Sequence, residues 1–377
     1  MAHKKNIRSR RTGERDGKKD NDLTTSRPTV IGYNEWFRKN AAPFLTDGFS
    51  PARVIEVNRG SYLVGDGSHE MPAELSGKLM FTTEEKTDFP TVGDWVAVQT
   101  IDNNSLAIIH TVLPRKTFLK RKEPGKNIAF QLIAANIDCG MVVQSADSFS
   151  GNRLDRYLVM LNECGIEPLV LINKTDLLDA PEMDELREKT EKLNNRCLFV
   201  SSLTEGGIDP LTEILEAGTT YCLLGPSGVG KTSLLNRLLG ENLFRVNEVR
   251  EKDGRGKHTT VRRQLVCLPS GAIFIDTPGM REIGNFDVSA GIEETFEEIY
   301  SHGSKCRFRD CTHTHEEGCA IRAAVEQGEI DAGRYQNYLK IRKETAYYDM
   351  SFQERRRKDR TFGKMIKNYK RTKPGHD

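Results

Sequence analysis

The chain has 377 residues, 37% hydrophobic and 29% charged, and its 56 basic and 54 acidic side chains leave a net charge of +2. That length suits two or three domains, and no apolar run approaches the roughly 18–20 residues of a membrane span. The basic N-terminus lacks the hydrophobic segment of a secretory signal, and Glu14, Asp16, Asp20 and Asp22 argue against a transit peptide.

Residues 1–28 hold Lys4, Lys5, Arg8, Arg10, Arg11, Arg15, Lys18, Lys19 and Arg27 with few apolar neighbours, the composition of a basic disordered arm. A matching basic tail, residues 350–377, carries Arg355–Lys358 and further cations. Two such tails tilt the expectation toward a polyanionic partner. Tyr33–Phe44 predicts a short helix. From Ala52 to Val112, five short strands (ARVIEV, SYLVG, HEMPAEL, WVAVQ, LAIIHTV) alternate with turn residues, which predicts a small OB-like β-barrel over residues 29–115. Pro114–Gly125 reads as a basic linker out of it.

Residues 116–300 change to alternating strands and helices, the pattern of a parallel sheet covered on both faces. Strands are expected at Met141–Val143, Pro168–Ile172, Cys197–Val200 and Tyr221–Leu224. Helices are expected at Arg153–Glu163, 182–195 and Asp209–Ala217. Gln264–Leu268 and Ala272–Ile275 read as a hairpin, and Ile292–Tyr300 as helical. Cys139, Cys164, Cys197, Cys222 and Cys267 fall singly, mostly in apolar stretches, and read as buried reduced thiols of a cytoplasmic protein.

Four motifs fall at strand ends, where ligands of α/β sheets bind. Gly225-Pro226-Ser227-Gly228-Val229-Gly230-Lys231-Thr232-Ser233 follows a strand and opens a helix, as a phosphate-binding loop must. Lys231 is placed for the β- and γ-phosphates and Thr232 for Mg²⁺. Asn173-Lys174-Thr175-Asp176 fits N-K-x-D, whose carboxylate accepts two hydrogen bonds that guanine supplies and adenine does not. Ser201-Ser202-Leu203 fits the loop whose N–H meets guanine O6. Asp276-Thr277-Pro278-Gly279 fits D-x-x-G, with Asp276 holding Mg²⁺ through water, Gly279 meeting the γ-phosphate, and Thr259 or Thr260 completing the metal shell. The base-reading motifs precede the phosphate loop, whereas Ras-like GTPases place them after it. The domain is therefore expected to be circularly permuted.

Met280 stands where many GTPases carry a water-orienting glutamine, so His258, in the glycine-rich Lys252–Val261 segment, is the candidate to position or deprotonate the water. Cys306, Cys311, His313 and Cys319 give C-x₄-C-x-H-x₅-C, a closed set suited to structural zinc, with His315 as a competing ligand. These cysteines lie in a helical module expected over residues 301–349.

The segments AANID, LDRYL, NKTD, GPSGVGKTSLLN, GKHTT, DTPG and CRFRDCTHTHEEGCAIR together resemble the RsgA/YjeQ family of small-subunit-dependent GTPases over roughly residues 50–340. The resemblance favours His313 over His315. It implies a cytoplasmic GTPase that binds GTP or GDP, the small ribosomal subunit and its rRNA, with hydrolysis stimulated by that particle during late maturation. Mg²⁺ with GTP and one structural Zn²⁺ are the expected cofactors, a monomer is the expected state, and no membrane association is expected. An RNA-binding assembly module that uses GTP as a conformational latch is the alternative, and Asp176 disfavours an ATPase or kinase.

Overall fold

The computed structural model describes residues 31–349 apart from 47, 59, 84, 102–103, 123–129, 194, 241–262 and 277–288. The basic arm at 1–28, the tail at 350–377, the Lys252–Val261 segment and Thr277–Gly279 therefore lie outside the described residues.

Helix α1 (Glu35–Ala41) begins at Asn34, whose side chain accepts the Phe37 N–H. Strands β1 (Ser50–Asn58), β2 (Ser61–Gly65), β3 (Glu70–Leu75), β4 (Trp95–Ile101) and β5 (Leu106–Val112) form the barrel. Their order is β1-β2-β3-β5-β4, closed by antiparallel β1–β4 pairing, and β3 and β5 run parallel. Every second residue faces inward: Ala52 and Val54, Tyr62 and Val64, Met71 and Ala73, Val96 and Val98, Ala107 and Ile109. This period of two is the strand's own geometry. It sends Trp95 and Ala97 outward, where Ile31, Tyr33, Phe37 and Ala41 cover them. The short α2 (Gly77–Thr82) lies between β3 and β4.

Part of the expected linker is ordered as a strand. β6 (Phe118–Lys122) pairs antiparallel with β7 (Phe130–Ala135) as a two-stranded ribbon. Its Lys120 ammonium lies 4.9 Å from the centre of the Phe130 ring, so the basic run follows strand spacing.

Beyond β1 the same sheet continues into a second half, ordered β10 (Cys197–Phe199), β9 (Glu167–Asn173), β8 (Cys139–Ser145), β11 (Thr220–Leu224), β13 (Ile273–Asp276), β12 (Arg263–Cys267). The first five are parallel, and β12 is antiparallel to β13, because only a tight turn separates those two. Alternate residues serve two cores. Met141, Val143, Leu169, Leu171, Leu223 and Phe274 meet Leu234 and Leu235 of α6 (Lys231–Leu239). The opposite face, with Val142, Val170, Ile172, Leu224 and Ile275, packs on α3 (Gly151–Glu163). Two further helices, α4 (Ala180–Glu191) and α5 (Asp209–Thr212), connect strands. The first carries an Asp179–Glu182 capping box, and the second stops short of the expected Ala217.

The α3-side core continues without a break into the C-terminal helices α7 (Ser289–Thr295), α8 (Glu297–Gly303), α9 (Ala320–Glu326) and α10 (Ala332–Asp349). The single helix expected at Ile292–Tyr300 is two, interrupted at buried Phe296. Among the described residues no helix is long and apolar enough to cross a membrane. The singly placed cysteines are unpaired, and burial pushes Cys139 up to about 12 and Cys164 and Cys197 up to about 11. Cys267 departs from the expectation by being exposed.

Candidate nucleotide site and metal cluster

Strands β9, β10, β11 and β13 end on one rim of the sheet, and that rim gathers the described motif residues. β11 is buried along its whole length and turns at Gly225, whose φ of +136° only glycine accepts easily. A Cβ there would lie 2.3 Å from the Val143 carbonyl oxygen. Val229 is buried, Ser227 and Gly228 are exposed, and Lys231, Thr232 and Ser233 open α6 half-buried. The Lys231 ammonium donates to the carbonyls of Gly225 at 2.7 Å and Pro226 at 2.6 Å, drawn inward across its own loop.

Asn173, fully buried, joins three motifs. Its Nδ2 donates to the Val229 carbonyl at 2.8 Å, and its Oδ1 accepts the Ser202 N–H at 3.2 Å. Gly230 must lack a side chain because a Cβ would sit 2.3 Å from that Nδ2. Lys174 follows in the left-handed region, φ +63°, which turns the chain so that Asp176 faces solvent. Thr175 is tied to the Val200 carbonyl through its hydroxyl at 3.1 Å. Ser201 donates to Asp176 Oδ1 at 2.5 Å while accepting the N–H groups of Leu203 and Thr204, each at 3.3 Å. The hydroxyl's direction is thereby fixed, and the carboxylate is held at the mouth of the loop.

Asp276 ends β13 beside β11, where Cys222 pairs with Ile275. Burial raises its carboxyl above the usual range, and the nearby charge of Lys231 works against that rise. This places the phosphate-loop lysine and the D-x-x-G aspartate in one electrostatic neighbourhood. A desolvated carboxylate at this strand end suits a hard divalent cation with oxygen ligands. His258, Thr259, Thr260 and Gly279 lie outside the described residues.

Between α8 and α9 the sulfurs of Cys306, Cys311 and Cys319 and a ring nitrogen of His313 lie within 4.8 Å of one another. His313 Nδ1 is 3.5 Å from Cys306 Sγ and 3.6 Å from Cys319 Sγ, and those two sulfurs are 4.0 Å apart. A tetrahedron with bonds of about 2.3 Å to sulfur and 2.0–2.1 Å to nitrogen has edges of roughly 3.5–3.8 Å, so the donor set fits a metal ion. His313 takes φ +64°, and Tyr335 donates to its carbonyl at 2.5 Å. His315 points elsewhere, its Nδ1 at 2.8 Å from the Thr314 hydroxyl. The Glu316 carboxylate gathers the N–H groups of Thr312, Thr314 and His315 at 3.0–3.2 Å, shaping the loop that carries the ligands.

Sequence reading missed the residues that fasten this cluster to the sheet. Asp155, buried on α3, accepts from Arg334 and Asn337 of α10, each at 2.7 Å. Arg334 also bonds Glu298 and the Thr295 carbonyl, and Arg156 pairs with Glu344 through both oxygens at 2.7 and 2.9 Å. The only available signal was Asp155 standing in an otherwise apolar helical stripe.

The sequence profile of the RsgA GTPase family matches residues 112–286. A small ribosomal subunit biogenesis GTPase RsgA of Leptospira interrogans is 38% identical over 331 residues, 86% of this chain and 90% of the relative. One from Vibrio parahaemolyticus, small ribosomal subunit biogenesis GTPase RsgA 2, is 35% identical over 353 residues, 93% and 94% of the two chains. Among solved structures, YjeQ from Thermotoga maritima aligns with a TM-score of 0.60 at 28% identity, covering 79% of this chain and 99% of its own. YloQ, described as a circularly permuted GTPase, aligns at 0.59 and 25% identity, covering 81% and 98%. With the motif order and sheet described above, this chain belongs to the RsgA GTPase family and is a circularly permuted, GTP-hydrolysing enzyme.

Proposed function

We propose that this enzyme binds the small ribosomal subunit and acts late in its maturation, hydrolysing GTP with stimulation by the particle. The relatives' names support the biogenesis role, and the nucleotide reading rests on one observation. Asp176, oriented by Ser201, stands at the same rim as Lys231, with Asn173 bonded to both neighbouring loops.

In this reading Asp176 accepts two hydrogen bonds from guanine, Lys174 lies along the base, and the Ser201–Ser202 backbone meets the base oxygen. Gly225–Ser233 wraps the phosphates. Lys231 exchanges its two carbonyl partners for the β- and γ-phosphates. Thr232, Asp276 and Thr259 or Thr260 would hold Mg²⁺, which neutralises developing charge on the phosphates. Gly279 meets the γ-phosphate, and His258 positions the water when the particle is bound. The Cys₃His cluster would hold zinc, whose role there is structural because all four positions come from the protein. A monomeric, cytoplasmic, rRNA-contacting protein completes the reading.

The test compares GTP turnover alone and with purified small subunits. Marked stimulation supports the proposal. Tight particle binding with unchanged turnover would instead mean that GTP serves as a latch. A His258→Ala enzyme that keeps full stimulated turnover removes that histidine from the mechanism.

A further inference from the structure

The seam between α3 and α10 carries more than a fastening. Beside the Asp155–Arg334 contact opens a cleft of about 460 Å³, lined among others by Asn152, Arg153, Arg156, Gln336, Asn337 and Lys340. No carboxylate lines it. The nearby acids are already engaged: Asp155 and Glu298 by Arg334, and Glu344 by Arg156. Arg153 and Lys340 are left over. Both are exposed, and among the described residues neither forms an ion pair or a side-chain hydrogen bond. Two unmatched cations, one on each wall, flank the exposed amides Asn152 and Gln336.

We propose that this cleft binds the sugar–phosphate backbone of an unpaired RNA strand, with Arg153 and Lys340 on neighbouring phosphates. The volume greatly exceeds that of one phosphate ion. The amides both donate and accept, which suits the 2′-hydroxyl that separates RNA from DNA. An acidic peptide would also meet these cations and amides, so polyglutamate is the competitor that separates the two. This inference rests on the small-subunit reading above, which supplies the polyanion, and adds the surface that meets it.

The location ties binding to the nucleotide rim. Ser150 lines the cleft, and the turn Ala146–Ser148 just before it packs against Thr175–Leu177 of the N-K-x-D loop. Within that turn the Ser145 hydroxyl donates to Asp147 at 2.6 Å. The cleft and the base-reading loop are thus joined by the short run from Ala146 to Ser150.

The experiment uses the full chain and the double variant R153Q/K340Q, which touches neither the nucleotide residues nor the Cys₃His cluster. Affinity for a labelled twelve-nucleotide oligouridylate is measured by anisotropy across salt concentrations. Two lost phosphate contacts should lower the slope of log affinity against log salt by about 1.4 and weaken binding roughly 25-fold at 0.1 M salt. GDP affinity and the melting temperature should not change. An unchanged slope and affinity overturn the proposal. So does displacement of the oligomer by millimolar inorganic phosphate, or by polyglutamate at matched charge, since either would assign the cleft to a different anion. The stimulation assay with wild-type protein judges the ribosomal reading separately: a stimulated wild type alongside an unaltered double variant refutes the cleft alone.

Discussion

Ser201 is a small residue with an outsized task. It is nearly fully buried, donates to Asp176 and accepts two backbone N–H groups, so its removal leaves those N–H groups unpaired and the carboxylate free to rotate. A hydrogen bond to a charged group is worth about 1.5–3 kcal/mol. Ser201→Ala is therefore expected to weaken GDP about tenfold or more, and Asp176→Ala further still, since in the proposed site it would remove both bonds to the base. In a double-mutant cycle read by fluorescent-nucleotide titration, the two should be strongly non-additive, because the serine acts through the aspartate. Full additivity would show that Ser201 serves the loop alone. The two motifs stand out in the sequence, but the Ser201 hydroxyl's hold on Asp176 does not. N-K-x-D and the serine loop are short patterns whose chemistry is local, and the fold only had to bring their strand ends together.

Elements show where legibility stops. The barrel strands, the phosphate-loop helix α6 and the hairpin β12–β13 follow from period-two and period-3.6 patterns and from turn residues. The ribbon β6–β7 did not, because alternating Phe118, Lys120 and Lys122 in a basic run reads as a solvated linker when its pairing partner is unknown. The break at Phe296 was equally silent, being set by tertiary packing against Tyr338. The clamp between α3 and α10 was least legible, since Asp155 and Arg334 are 179 residues apart. Its energetics are nonetheless testable. Removing Asp155 leaves Arg334 its bonds to Glu298 and the Thr295 carbonyl but unpairs the guanidinium nitrogen that faced it, at about 1–3 kcal/mol. Asp155→Ala is expected to expose the C-terminal helices to limited proteolysis while nucleotide affinity holds. Equal protease resistance would assign the docking to the shared apolar core instead. Metal removal acts on the same element differently. The donor loop has little apolar core of its own, and structural zinc in small modules supplies roughly 10–16 kcal/mol of apparent binding energy. Chelation should therefore unfold residues 300–330, lowering helical circular dichroism, and leave GDP affinity unchanged. Carefully purified protein without bound zinc would contradict this assignment.

At the scale of the whole molecule, barrel and nucleotide-binding sheet are one hydrogen-bonded surface. β12 pairs with β1, Glu56 opposite Gln264 and Val57 opposite Arg263, making eleven strands continuous. Arg53 secures that joint. Standing between the inward-facing Ala52 and Val54, it lies on the outward side of β1, which is covered there, and the residue is fully buried. Its guanidinium donates to the carbonyls of Ile31 at 2.6 Å, Gly93 at 3.2 Å and Asn136 at 3.2 Å, and to the Thr220 hydroxyl at 2.9 Å, above the Trp95 ring. Burial lowers its pKa to about 10, so it remains a cation at neutral pH. Four acceptors on the N-terminal segment, the barrel, the β7 end and the first residue of β11 meet at one planar fork, a geometry that lysine cannot reproduce. Arg53→Met keeps the volume but strands those acceptors, at about 1–3 kcal/mol each where no water replaces the fork. The expected result is a loss of several kcal/mol of stability, read as a lower urea midpoint. In the variant, tryptophan fluorescence, from Trp95 and from Trp36 on the helix covering it, should change before far-ultraviolet circular dichroism, because the barrel comes free of the sheet first. Wild-type protein should lose both signals together. If the variant's two transitions also coincide, β1–β12 pairing suffices to join the units, and Arg53 adds stability without adding the coupling.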